Sequence, residues 1–251
     1  MRKLLFVIAF MSAGRVWAIA PIGPAASDVE KGGFAVGFDY ANGKIGVDAD
    51  HLSWTYAGFG KDDIPEYRES YDRHVESSFA RLVYGLNDRW QAFARLGQAE
   101  IESDKDLAWG FGSKVTLRES ERLDWGLMGQ IAFLSSEESI SAPSDWVYCK
   151  GQTDGYAIQV AFSPVYKGDG FCLYGGPFLS WLKADAEMKG DLILADETIV
   201  HATGSLDIEK ELEIGAYAGL SIQFVEDLAL NAEFQYASDW ELFALNLTFA
   251  F

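Results

Sequence analysis

Residues 228–251 read LALNAEFQYASDWELFALNLTFAF, and two alternations run through them, broken at Ser238-Asp239. Leu228, Leu230, Ala232, Phe234 and Tyr236 share one face of the first segment, opposite Ala229, Asn231, Glu233, Gln235 and Ala237. After the break, Phe243, Leu245, Leu247, Phe249 and Phe251 oppose Leu242, Ala244, Asn246, Thr248 and Ala250. Side chains that change face at every residue define strands. Each segment has the length of a tilted strand crossing a bilayer, about 9 to 11 residues. The apolar faces are therefore expected against lipid and the polar faces towards a lumen.

The head of the chain points to the same compartment. Arg2 and Lys3 precede an apolar run over 4–13, and small residues follow at Ala18 and Ala20. This is the pattern of a secretory signal peptide, expected over 1–18 with cleavage after Ala18, since cleavage after Ala20 would place Pro21 behind the scissile bond. Beyond it, no apolar stretch approaches the roughly 20 residues of a membrane helix. A membrane protein without such helices must be a closed barrel, because lipid cannot satisfy an open sheet edge. Residues 19–32, with Pro21 and Pro24, read as a short periplasmic lead-in, and 33–251 as the barrel. The chain carries 20 basic and 38 acidic residues. That balance excludes nucleic-acid binding, which needs basic surface against phosphate, and favours cations or a basic partner.

The fold class expected is all-β: a transmembrane antiparallel up-and-down barrel of about ten strands, with eight or twelve as alternatives. The strands are placed near 33–41, 75–86, 90–101, 107–118, 125–136, 155–164, 171–183, 212–224, 228–238 and 241–251. Short connections alternate with longer ones, and the three long gaps at 42–74, 137–154 and 184–211 fall on one side. Barrels of this kind have short periplasmic turns and long outer loops. Outward aromatics gather at two levels: Trp90, Trp125, Phe162, Phe171, Phe224, Phe249 and Phe251 at one rim, and Trp109, Phe133, Tyr156, Trp181, Tyr236 and Phe243 at the other.

The phrases YGLNDRWQAFARLG (84–97), LAWGFGSKVTL (107–117), IGAYAGLSIQF (214–224) and LNAEFQYA (230–237), with the terminal FALNLTFAF, resemble small outer-membrane β-barrel proteins of the porin-like superfamily. The resemblance covers nearly the whole mature chain and implies architecture rather than activity. It also implies that the terminal aromatic strand, with Phe249 and Phe251, is the signal that the barrel-assembly machinery reads. Outer-membrane lipid and lipopolysaccharide are the expected surroundings.

Parity places Arg81, Gln91, Arg95, Lys114, Arg118, Gln130, Gln159, Tyr174, Glu213, Tyr217, Gln223, Asn231, Glu233, Gln235 and Asn246 inside. Small barrels are just wide enough for side chains to fill, and buried charges must pair. An interior network of Arg81, Arg95, Lys114, Glu213 and Glu233 is expected, with Arg95 or Lys114 as partner of Glu233. The 184–211 segment is acidic, and Asp185, Glu187, Asp191, Asp196 and Glu197 are its candidate binding residues. Divalent cations could bridge them to anionic headgroups, although no stretch has EF-hand spacing and no metal site is assigned.

Asp48-Ala-Asp50 with Asp72-Arg-His74 resembles the paired residues of the omptin proteases, and His51-Leu-Ser53 resembles the His-and-Ser site of lipid A deacylases. Both sit in one N-terminal segment, unlike either family, so no catalytic residue is assigned. Cys149 and Cys172 fall at opposite ends of a spanning strand, so no disulfide is expected. No cofactor is expected. The function expected is a non-enzymatic structural or surface-binding, adhesin-like role through acidic outer loops. A narrow passive pore is the alternative, and an omptin-like or deacylase-like hydrolase the distant one.

Overall fold

The computed structural model describes residues 20–56, 60–64, 69–101, 104–141, 147–193 and 199–251. Eleven strands lie among them: β1 (Phe34–Tyr56), β2 (Gly60–Ile64), β3 (Glu69–Asn87), β4 (Trp90–Ile101), β5 (Asp104–Arg118), β6 (Leu123–Ser141), β7 (Val147–Lys167), β8 (Phe171–Ile193), β9 (Ile199–Val225), β10 (Leu228–Ala237) and β11 (Trp240–Ala250). Neighbours pair antiparallel in chain order from β3 to β11, and β1 pairs with both β3 and β11, so the sheet closes on itself. The additional strand relative to the expected ten is β2, which lies outside this circuit against the far end of β1.

The closing seam runs from Ala35↔Ala250 to Ile45↔Trp240. It is extended by reciprocal backbone bonds, Phe34 N to Phe251 O at 3.3 Å and Phe251 N to Phe34 O at 2.9 Å. Along each wall the alternation sorts side chains by chemistry. On β4, Gln91, Phe93, Arg95 and Ala99 are buried inside, whereas Trp90 and Leu96 face out and are exposed. Leu82, Phe111, Leu127, Phe234 and Leu247 continue the outward apolar surface around the circuit. Polar inside and apolar outside is the reverse of a water-soluble barrel and fits a hydrocarbon solvent.

At one end the connections are short: 88–89, 119–122, 168–170 and 226–227. Arg89 N donates to Asn87 Oδ1 at 2.9 Å, and Leu123 N to Ser120 Oγ at 3.1 Å, so local side chains replace the missing ladder bonds. Gly170 turns at φ 77, a conformation that suits glycine.

At the other end the expected loops are strands. The gaps at 42–74, 137–154 and 184–211 are crossed by long β1, β3, β6, β7, β8 and β9; β9 alone has 27 residues, against the roughly 9 to 11 that span a bilayer. Past the β10–β11 turn, β1 pairs directly with β9, from Ala49↔Ile208 to Tyr56↔Ala202. Within this extension small or apolar residues turn inwards, among them Gly151, Thr153, Ala184, Ala186, Gly204 and Leu206, all buried.

Phe111→Arg, at mid-strand on the outward face of β5, is expected to destabilise the barrel in lipid vesicles by about 2–4 kcal/mol. Exposed Lys105→Arg should leave stability within about 0.5 kcal/mol. Urea titration of both variants checks the contrast.

Candidate functional site

The lumen is where the polar residues meet, and its central element is one that reads from the sequence as a lead-in. Residues 20–26 are buried, with Ile22 and Ala25 at 0% exposure. The expected periplasmic lead-in is therefore corrected: from 20 to 29 the chain is a strap running inside the barrel. An extended strap has no ladder partner, so its backbone groups must find side chains on the wall.

They do so at several points. Glu233 on β10 accepts the N–H groups of Ile22 and Gly23 at 2.9 and 2.7 Å. Arg95 Nη2 donates to Pro21 O at 2.8 Å, and Gln130 Nε2 to Ala20 O at 3.3 Å. Gln91 Oε1 accepts Asp28 N at 2.9 Å and Val29 N at 3.2 Å, while Ser27 N donates to Thr116 Oγ1 at 2.9 Å. The wall is shaped for this contact. A Cβ at Gly126 would lie 2.2 Å from Ala26 N, and one at Gly85 would lie 1.9 Å from Glu30 O. The strap joins β1 through Gly32, at φ +77, whose N–H donates to Gly85 O at 2.8 Å.

Behind the strap the side chains form a belt. Asp39 on β1 is fully buried and receives Arg95 Nε at 2.6 Å, with Arg81 Nε 3.5 Å away. Asn246 Nδ2 also donates to Asp39. Arg95 Nη1 donates to Gln130, whose Nε2 reaches Gln159 Oε1 at 2.6 Å. Gln159 Nε2 reaches Gln235 Oε1 at 3.4 Å, and Gln235 Nε2 donates to Glu233 Oε1 at 2.7 Å. Arg81 Nη2 donates to Asn246 Oδ1 at 2.9 Å and Thr248 Oγ1 at 2.6 Å. On the other wall, Tyr174, Tyr217, Phe178 and Trp240 are buried, ring against ring at 5.4 to 6.4 Å.

Of the five network residues read from the sequence, Arg81 and Arg95 join this belt, but their carboxylate is Asp39. Glu233 holds the strap's amides rather than pairing with Arg95. Lys114 is buried next to the strap, its Nζ 3.1 Å from where a Gly23 Cβ would stand. Glu213 does not belong: it accepts Ser238 Oγ at 2.9 Å in an exposed position. It faces inwards opposite Ser180 but stands beyond the last β9–β10 pair, Tyr236↔Ala216, beside the β10–β11 turn. A register shift between Thr116 and Arg118 leaves Arg118 exposed.

At the short-turn end a cavity of about 300 Å³ lies between the strap and the wall, lined by Asp28, Asp124, Lys167, Cys172, Gln223 and Thr248 among others. Lys167 and Asp124 pair at 3.0 Å. Cys172 carries a free thiol at the start of β8, opposite Lys167. Cys149, whose side chain is outside those described, lies towards the far end of the same strand pair, opposite Gly190.

The acidic candidates among the described residues are strand residues, not loop residues. Asp185 and Glu187 are exposed on β8, and Asp191 contacts His201 across the strand pair. Asp196 and Glu197 lie outside the described residues, as do the side chains of Asp48, Asp50, His51 and Asp72. His74 is exposed, 3.4 Å from Asn42 Nδ2, and Ser53 Oγ meets Ser205 Oγ at 2.8 Å. Among the described residues no group of three or more His, Cys, Asp or Glu is arranged to hold a metal.

A closed antiparallel circuit, with an apolar outer face and a polar interior wrapped around its own N-terminal strap, decides the class. The fold is a membrane-type antiparallel β-barrel. No family profile matches the chain, and no curated protein does. Among solved structures it is similar to the β domain of the Bordetella autotransporter BrkA, with 11% identity, 88% and 100% of the two chains covered and a TM-score of 0.47. It is similar at 12% identity to the translocator domain of the autotransporter NalP from Neisseria meningitidis, over 100% and 94% of the chains, TM-score 0.43. The outer-membrane protease OmpT from Escherichia coli gives 9%, 94% and 99%, and 0.43.

Two outcomes follow for the barrel's interior. Asp39→Ala leaves two guanidinium groups without their buried carboxylate and is expected to cost about 3–5 kcal/mol, against about 0.5 kcal/mol or less for Glu213→Ala, by urea titration. Gly126→Leu should drive the strap from the wall. Hydrogen exchange at the Ile22 and Gly23 amides should then rise at least about tenfold, with Gly129→Ala, whose Cβ meets nothing within 4 Å, as the silent control.

Proposed function

We propose that this outer-membrane barrel is closed to solutes and non-enzymatic, with a structural or surface-binding role carried by its acidic, strand-built outer end. The observation that supports this reading is the strap: a lumen crossed by its own chain, bonded to Glu233, Arg95, Gln130 and Gln91, has little room for a permeant. Loops and extensions on a rigid barrel are where binding function usually resides. Asp154, Asp185 and Asp207 stand opposite one another across β7, β8 and β9, all exposed, and give that end an anionic face. Divalent cations shared with anionic headgroups fit there. Residues 1–18 are the export signal in this reading, and Phe249 and Phe251 meet the assembly machinery.

The second reading, a narrow pore, rests on the same strap, since no backbone ladder holds it and a cavity lies beneath it. Planar-bilayer recording separates the two. The wild-type protein should show no stepwise conductance, and deletion of residues 20–29 should produce it. Stepwise opening of the wild type that changes with Arg95→Ala would replace the proposed role with the pore.

A further inference from the structure

Among the described residues two prolines stand within strands of the barrel wall, Pro164 on β7 and Pro177 on β8, and these strands are neighbours. Pairing between them runs from Val147↔Leu192 to Ala161↔Phe178 and resumes in the same register from Val165↔Tyr174 to Lys167↔Cys172. Between those limits no pair joins Phe162, Ser163 and Pro164 to Gly175, Gly176 and Pro177, their partners in that register. The ladders on either side are unbroken at this level. Trp125↔Pro164 to Leu127↔Phe162 joins β6 to β7, and Gly175↔Ala218 to Pro177↔Ala216 joins β8 to β9. A strand turns its N–H groups to its two neighbours alternately, so both absent proline donors fall on the interface that lacks its rungs. The Gly175 N–H is held there by a side chain, Ser163 Oγ, at 3.1 Å.

The unlaced stretch lies within the apolar band. Phe162 and Pro177 face out and are exposed, and Tyr166, Phe171 and Leu173 continue that surface towards the short turn. Inside, buried Ser163 is opposite Gly176, which alternates with buried Tyr174 and Phe178, so the inner face of the seam carries one hydroxymethyl group and a hydrogen. The strands nevertheless touch: a Cβ at Gly176 would lie 2.2 Å from Phe162 O. Val165, the next inward residue on β7, lines the cavity of about 300 Å³ beneath the strap.

We propose that this seam is a lateral portal through which a single acyl chain of a bilayer lipid enters that cavity. Parting two strands in hydrocarbon is costly because lipid cannot satisfy the freed N–H and C=O groups. Here two of the N–H groups do not exist and a third is bonded to a hydroxyl, so separation frees few donors. The bilayer's own lipid is the occupant, since its chains already lie against Phe162, Leu173 and Pro177, and the cavity offers them Val165, Ala229 and Ala250. The route is sideways and leaves the axis closed by the strap. It therefore goes beyond the surface-binding reading and does not depend on it.

The test uses the full barrel, deuterated except at valine methyl groups, in nanodiscs of protonated lipid, and reads magnetisation transfer from acyl-chain protons to each valine. Outward Val36 gives the level of full lipid contact, and Val75, buried inside the opposite wall, gives the background. Transfer to Val165 well above the Val75 level is expected. Pro164→Val with Pro177→Val restores both donors; this variant should unfold at a higher temperature and lose the transfer at Val165 to the Val75 level. Either single replacement serves the same comparison if the double variant does not fold. Wild-type Val165 at background overturns the portal. Undiminished transfer in a folded, restored variant also overturns it, because the chain then enters by the short-turn end. Neither result bears on the bilayer recordings.

Discussion

A carboxylate removed from water must be answered by charge and by hydrogen bonds together, and Asp39 on β1 meets that condition in the middle of this barrel. Arg95 on β4 binds one oxygen at 2.6 Å, while Asn246 on β11 reaches the other. The strands that supply these groups are separated widely in sequence, so the belt forms only when the sheet has closed. Arg95 then passes the constraint on. Its remaining donors reach Gln130 and the strap's Pro21 carbonyl, so that wall and contents are fixed by one guanidinium.

The two halves of the lumen use different chemistry for different neighbours. Where the strap runs, its unpaired amides demand acceptors, and the wall provides Glu233, Gln91 and Thr116. Where rings fill the opposite wall, glycines on the facing strand make space. A Cβ at Gly219 would fall 2.2 Å from the Tyr174 ring, and one at Gly215 2.2 Å from the Phe178 ring. Towards the outer end the interior turns apolar, with Ile45, Val75, Leu134, Leu182 and Leu242 buried. Water excluded there makes the polar belt below worth more, since a low dielectric strengthens satisfied hydrogen bonds.

Alternation made the spanning strands legible, because lipid and lumen enforce opposite chemistry on successive residues. The closing hairpin, the short turns and the inward positions of Arg81, Arg95 and Glu233 all follow from that rule. It fails where the backbone slips: the register shift near Thr116 turns Arg118 out of the interior. The outer extensions also alternate, as in Asp185, Glu187 and Lys189 against Ala184 and Ala186, but their inward residues are too small to read as a core. Asp39 sits on the same face as Ala35 and Ala41 and opposite Asn246 across the seam, a signal visible only once the two end strands are paired. The strap had no such signal. Pro21, Gly23 and Pro24 have the composition of a linker, and nothing local distinguishes a linker outside a barrel from one held within it.

That strap precedes β1, and the seam that encloses it joins β1 to the last strand. Its bond from Ile22 to Glu233 links residues 211 positions apart, so it can form only late. Contacts of such separation slow folding, because the chain must order the intervening residues before gaining them. The strap need not be threaded through a finished cylinder, however. It can lie against β3 to β6 while the sheet is still open and be enclosed as β11 docks onto β1. Closure and filling of this barrel then become a single kinetic event.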